Sequence, residues 1–182
     1  MQMKTIYLLF TQSNTLISRL IKFTTKAEYT HASISLSKNI FPFYSFGRKY
    51  NHLPLPAGFK KEHLDKGFLF KNPNIPCAIF SIDTSDEQYE TMREYIEKTF
   101  ESDKKYKFNM LGLITCKFGK PLKRKQKMFC SEFVANTLNR GNITNFSQPA
   151  LVHPITLSKI PEAQCIYKGR IKDIPRIMKT IN

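Results

Sequence analysis

The sequence predicts an α+β fold in which an antiparallel sheet packs against helices. Three stretches carry that reading. Tyr29 to Leu36 alternates strictly and returns through Ser37-Lys38-Asn39 into Ile40 to Phe46, which is hairpin patterning. The apolar run Cys77 to Ile82 is followed by a long amphipathic segment whose buried stripe is Tyr89, Met92, Tyr95, Ile96 and Phe100. Near the middle of the second half, Phe133, Val134 and Leu138 recur at helical spacing, so the segment reads as a buried helix with Cys130 in its first turn. A length of 182 residues suits one domain spanning 1–182, with a core that needs no staples.

In chain order, Lys4 to Phe10 is β-branched and aromatic enough for a first strand buried on both faces. Ser13 or Asn14 then caps a helix on Leu16, Ile17, Leu20 and Ile21, with Lys22 toward its end. In the strand that follows, Thr30, Ala32, Ile34 and Leu36 point one way and His31, Ser33 and Ser35 the other. Pro42 argues for an edge or a bulge in the returning strand. A three-residue turn pairs His31 with Ser45.

Residues 50–75 are irregular, with several prolines and glycines. A loop of that length is a lid, a binding loop or a pair of short strands, and Phe68-Leu69-Phe70 reads as one such strand. Thr84 or Ser85 caps the long helix, which has Asp86 and Glu87 in its first turn. Phe108 to Ile114 reads as a short apolar helix. Lys117 to Lys127 follows as an exposed loop with six positive charges in eleven residues. Gly141 and Asn142 stop the Cys130 helix, Thr156 caps a short helix at Leu157 to Ile160, Gln164 to Gly169 forms a last strand, and 171–182 is a basic tail.

Composition narrows the classes. The 29 Lys and Arg against 14 Asp and Glu give a net charge of +15, which attracts anionic partners of any kind. The lysines are spread over every segment, which disfavours a specific nucleic-acid site and leaves an anionic surface through Lys117–Lys127 as the partner to consider. No window is long and apolar enough for a transmembrane span, and the first residues do not read as a signal peptide. The expectation is therefore a cytoplasmic chain whose Cys77, Cys116, Cys130 and Cys165 are reduced thiols. No C-x-x-C pair occurs, so neither a structural zinc nor any other metal or cofactor is expected.

Cys130 stands where a thiolate is easiest to make, because a helix N-terminus offers unpaired N–H groups and a positive dipole end. Its base has to come from His31, His52, His63 or His153. A catalytic imidazole needs a rigid mounting, and His31 has one: it sits early in a strand whose same-face neighbours are small and polar. His52 and His63 fall in the irregular stretch, and His153 precedes a proline in a turn.

The order Thr30-His31-Ala32-Ser33-Ile34 on a strand, then Phe129-Cys130-Ser131-Glu132-Phe133-Val134 on a helix about a hundred residues later, resembles the circularly permuted branch of the NlpC-type papain-like superfamily. That branch holds the YiiX-like proteins and, more distantly, the lecithin retinol acyltransferase group. The resemblance covers roughly residues 4–170 and includes Tyr44-Ser45-Phe46-Gly47-Arg48-Lys49 and Tyr106-Lys107-Phe108-Asn109 with Gly112. It implies a permuted papain-like fold in which the His strand precedes the Cys helix. Cys130 is then the nucleophile and His31 the base, with N–H groups around Ser131, and Tyr106 nearby, serving the oxyanion. It also implies Tyr44 and Arg48 as substrate contacts and a polar third member holding the imidazole, matched here by Ser45. A hydroxyl carries no charge to stabilise imidazolium, so a Ser45-supported dyad implies weak turnover.

The expected activity is that of a thiol hydrolase, of the peptidase, amidase or acyltransferase kind, acting on an amide or ester carbonyl of a peptide, cell-wall-type peptide, lipid or small molecule. The alternative is a non-catalytic binding module that applies its basic surface to anionic lipid or nucleic acid. The sequence leaves oligomeric state open.

Overall fold

The computed structural model describes residues 3–12, 28–48, 57–102 and 106–175. The helix expected after Ser13, His52, and the tail beyond 175 lie outside the described residues. Among the described residues eight strands occur in chain order: β1 (Lys4–Thr11), β2 (His31–Ser35), β3 (Phe43–Arg48), β4 (Ala57–Glu62), β5 (Pro76–Thr84), β6 (Lys107–Phe108), β7 (Lys127–Met128) and β8 (Gln164–Arg170). They form one sheet in the order β7-β6-β4-β3-β2-β1-β5-β8. Every neighbouring pair is antiparallel except β6–β7. The α-helices among the described residues are α1 (Gly67–Lys71), α2 (Asp86–Glu101), α3 (Met110–Lys117), α4 (Cys130–Arg140) and α5 (Pro154–Leu157). The α+β reading with an antiparallel sheet against helices thus describes the molecule.

β1 is the strand around which the sheet is laid, paired along its length with β5 and from Tyr7 to Thr11 with β2. Alternation sends Ile6, Leu8 and Phe10 into the larger core cluster and Leu9 into a second one. On the larger side α2 and α4 cover the sheet, and on the other Leu69 of α1 joins Phe43, Ile79, Ile171 and Ile174. Phe133 fixes where α4 sits. Its ring meets those of Phe46 at 5.4 Å, Phe59 at 5.3 Å and Tyr95 at 6.0 Å. Burying such a ring contributes about 1.5–3 kcal/mol, and edge-on neighbours add direction to that burial. The start of α4, one turn earlier, is thereby held beside β2.

α2 begins as its sequence predicts. Ser85 Oγ accepts from Gln88 N–H at 3.2 Å and Gln88 Oε1 accepts from Ser85 N–H at 3.0 Å, a closed capping box. Its buried residues are Met92, Ile96 and Thr99, whereas Phe100, expected on the stripe, is largely exposed under Lys61.

Three local expectations are corrected. Phe68-Leu69-Phe70 lies in the helix α1, entered through Gly67 at φ 77°, a backbone region that suits glycine. The final short helix runs Pro154–Leu157, one turn earlier than expected. The β2–β3 connection is not a three-residue turn: it spans residues 36–42, with Ile40 at φ 65° and a cis Phe41–Pro42 bond. Ile34 consequently pairs with Tyr44, so the register places Gly47, rather than Ser45, across from His31.

Candidate functional site

Two elements begin at the same place. β2 opens with His31, anchored by the bond from Thr30 N–H to the Thr11 carbonyl at 3.0 Å, and α4 opens with Cys130. The first turn of α4 is tied down from both sides. Ser131 Oγ donates to the Val152 carbonyl at 2.7 Å, and Glu132 Oε2 accepts the otherwise orphaned Phe129 N–H at 3.3 Å. This leaves the Cys130 sulfur, almost fully buried, against the imidazole of His31, to which it is hydrogen-bonded, and beside the backbone N–H groups of Ala32 and Ser131.

The other side of the imidazole is held by a carboxylate. His31 Nε2 lies 2.8 Å from Oε1 of Glu62, the last residue of β4, which leaves Nδ1 as the ring nitrogen for the sulfur. Lys60, two residues back and so on the same face of β4, brings Nζ to the same Oε1 at 2.8 Å. Gly47 provides the passage for that lysine. A Cβ at position 47 would stand 3.0 Å from Lys60 Cε and 3.8 Å from His31 Cε1.

The charges follow from this wiring. Burial works against ionising all three groups, and the mutual interactions overcome it. For His31, burial lowers the pKa, but the Glu62 charge and the hydrogen bonds to Cys130 and Glu62 hold it up at about 9. For Cys130, burial raises the pKa. The hydrogen bond and charge of His31, with the Ala32 and Ser131 N–H groups, bring it below the ordinary thiol value. Burial also raises Glu62, yet the charges of Lys60 and His31 hold it well below the usual carboxylate range. The wiring thus draws the pair toward thiolate and imidazolium, with a carboxylate behind the ring.

Cys130 and His31, singled out from the sequence, are therefore brought together. Ser45 is corrected as the third member. Its hydroxyl donates to the Ala32 carbonyl at 2.7 Å, stitching β3 to β2, while the imidazole's partner is Glu62. Ser131 contributes its N–H at the sulfur. Tyr106 packs edge-on to Phe46 at 6.2 Å. Tyr44 lies on the face of β3 opposite Ser45, stacked on Phe59 at 6.0 Å with Lys61 over its ring. Arg48 ends β3 opposite Ala57, and its side chain is outside the described residues.

Glu62 and Lys60 were missed by sequence reasoning, and a usable signal existed. Between Glu28 and Asp83 the chain contains only two carboxylates, Glu62 and Asp65, so a charged support for His31 drawn from that span had few sources.

No protein-family model and no curated protein matches this sequence. Among solved structures, the chain is similar to the metalloprotein YiiX from Escherichia coli O157:H7 (DUF1105), with a TM-score of 0.54 and 14% identity over 91% of this chain and 97% of that one. The likeness shows a YiiX-like fold. Among the described residues, no three His, Cys, Asp or Glu side chains gather in a way that fits a metal ion. No described helix is long and apolar enough to cross a membrane.

Proposed function

We propose that this chain is a cysteine-dependent hydrolase or acyltransferase of the circularly permuted papain-like kind, with Cys130 as nucleophile, His31 as acid and base, and Glu62 as the residue that holds the imidazolium. The observation that carries the reading is the bonded series Cys130–His31–Glu62, in which the thiol is lowered and the imidazole raised. The His strand precedes the Cys helix in the chain, the order the permuted arrangement requires. A charged third member replaces the hydroxyl expected from the sequence, which removes the reason to expect weak turnover.

In the proposed reaction the Cys130 thiolate attacks an amide or ester carbonyl carbon, and the carbonyl electron pair moves to oxygen. The N–H of Ser131, at the start of α4, is placed beside the sulfur to meet that oxyanion. The tetrahedral intermediate collapses, the bond to the amine or alkoxide breaks, and His31 donates its proton to that leaving group. The thioester is then resolved by water, or by an acceptor alcohol or amine. Neutral His31 takes the proton of the incoming nucleophile and the thiolate is released. Glu62 stays ionised throughout. A cytoplasmic setting would keep the four free cysteines reduced and the nucleophile available.

Iodoacetamide labelling near pH 7, read by peptide mass, tests the premise. Cys130 should alkylate about tenfold faster than the exposed Cys165, and an activated ester should leave a thioester on Cys130 that is absent in His31→Ala. Labelling of Cys130 no faster than Cys165, with no acyl-enzyme, would sink the reading.

A further inference from the structure

Helix α3 presents apolar residues outward. Gly112 and Cys116 are its buried positions, while Leu111 is 52% exposed, Ile114 46% and the C-capping Phe118 66%. Spacing of three and four residues puts these three on one side of the helix, a continuous aliphatic and aromatic ridge in water. The ridge is built firmly. Asn109, fully buried, caps the helix by accepting from Gly112 N–H at 3.0 Å and donates through Nδ2 to the Leu122 carbonyl at 2.9 Å, locking the helix start to the basic segment that follows. Lys120 N–H returns to the Thr115 carbonyl at 3.0 Å, closing the other end.

Cations surround this ridge. Lys107, Lys120, Lys123, Arg124 and Lys125 are all exposed, and register sets Lys107 beside Lys127 and Arg124 opposite Lys127 at the sheet edge. No acidic residue occurs between Asp103 and Glu132, so the field is of one sign. The buried side of α3 rests on the turn at Pro149–Leu151, which also packs on α4. The patch is thus on the outer shoulder of the helix that carries Cys130.

We propose that Leu111, Ile114 and Phe118, framed by Lys123, Arg124 and Lys125, form a contact surface for an anionic phospholipid bilayer. The ridge enters the boundary between headgroups and acyl chains while the cations meet lipid phosphates and carboxylates. Charge complementarity selects this occupant. A second copy of the chain would bring a like-charged rim against this one, with +15 on each molecule. A nucleic acid would answer the cations and find a stacking plane in Phe118, but it has nothing for Leu111 and Ile114, the aliphatic half of the ridge. The surface is independent of the thiol chemistry, so Cys130→Ala binds as the parent does.

The test is co-sedimentation of the full chain with vesicles of phosphatidylcholine alone, and with about one-third phosphatidylserine, at about 0.1 M salt. A heparin column provides a soluble polyanion for comparison. The parent should partition onto phosphatidylserine vesicles and not onto neutral ones. Replacing Lys123, Arg124 and Lys125 together by Gln should weaken vesicle binding about a hundredfold and heparin retention with it. Leu111→Ser with Ile114→Ser should weaken vesicle binding about tenfold and leave heparin retention unchanged. These changes lie on exposed positions, and a parent-like thermal melt checks that each variant folds. Equal binding to neutral and anionic vesicles, or none to either, overturns the proposal. So does a Leu111/Ile114 variant that binds vesicles as the parent does, which would leave a general polyanion site of the kind nucleic acid uses.

Discussion

Cys130 meets His31, and Cys116 meets His153 with Sγ 3.6 Å from Nε2, so the same two side chains are paired twice on this chain. The pairs stand in opposite states. Burial pushes the Cys116 thiol up to about 11, with the nearby Glu132 and Cys130 charges adding to it, and burial alone pushes the His153 imidazole down. That pair is neutral thiol and neutral imidazole, whereas Cys130 and His31 are drawn toward thiolate and imidazolium. Two differences in wiring account for this. Cys130 is the first residue of α4, at the positive end of a helix dipole, while Cys116 lies in the last turn of α3, at the negative end. His31 has Glu62 behind it, while among the described residues His153 has no carboxylate bonded to its ring. Proximity of a thiol to an imidazole therefore makes no nucleophile by itself. The anion on the far side of the ring and the dipole under the sulfur decide it.

The comparison breaks hardest at the imidazoles. His31→Ala should lower turnover about 10³- to 10⁴-fold in a steady-state assay on an activated ester, and His153→Ala should leave it within about threefold. Comparable losses in both variants would mean that the second pair takes part in the chemistry. Next comes the support. Glu62→Gln keeps a polar group but removes the charge, so His31 titrates lower and iodoacetamide labels Cys130 about tenfold more slowly at pH 7. Ser45→Ala removes a buried hydroxyl bond to the Ala32 carbonyl; it should cost about 1 kcal/mol in a denaturant melt and leave the labelling rate within about twofold. An unchanged rate in Glu62→Gln with a slowed one in Ser45→Ala would restore the serine as the supporting residue.

The smallest effects are in pH dependence, and the two histidines carry opposite signs. His31 is raised above the ordinary histidine value of 6.5 to about 9, so its contribution to stability is complete below 6.5 and fades as pH rises through about 9. His153 is lowered, so its contribution is complete above 6.5 and fades as pH falls through its depressed folded value. Imidazole NMR titration should show the His153 midpoint below 6.5 and His31 still mostly protonated at pH 8. Two coincident titrations near 6.5 would erase the distinction.

Much of this arrangement was legible in the chain. β1 and β5 follow from the apolar runs Lys4–Phe10 and Cys77–Ile82, and α2 and α4 from apolar residues recurring at helical spacing. Phe68-Leu69-Phe70 is too short to separate a helix pattern from a strand pattern, and only Gly67 marks it as a helix start. The β2–β3 hairpin explains both a success and a failure. A longer connection shifted the pairing by two residues, and a two-residue shift preserves which face each side chain occupies. His31 accordingly sits where alternation placed it, while the residue across from it changed from Ser45 to Gly47. Glu62 was illegible for another reason. β4 follows Pro54 and Pro56 in an irregular stretch and itself contains Gly58, with only Phe59 and Lys61 against Lys60 and Glu62 to show alternation, and its place is set by pairing with β3.

The sharing of one carboxylate oxygen between His31 and Lys60 bears on charge balance through a catalytic cycle. In the proposed reaction the imidazole gives up its positive charge whenever it protonates a leaving group. A buried anion facing a ring that has become neutral would ordinarily draw a proton from solvent and reset the base. With the ammonium on the same oxygen, Glu62 keeps a counter-ion in both halves of the cycle. The interior then moves one proton per half-reaction, between substrate and His31, and the carboxylate serves as a fixed electrode for it.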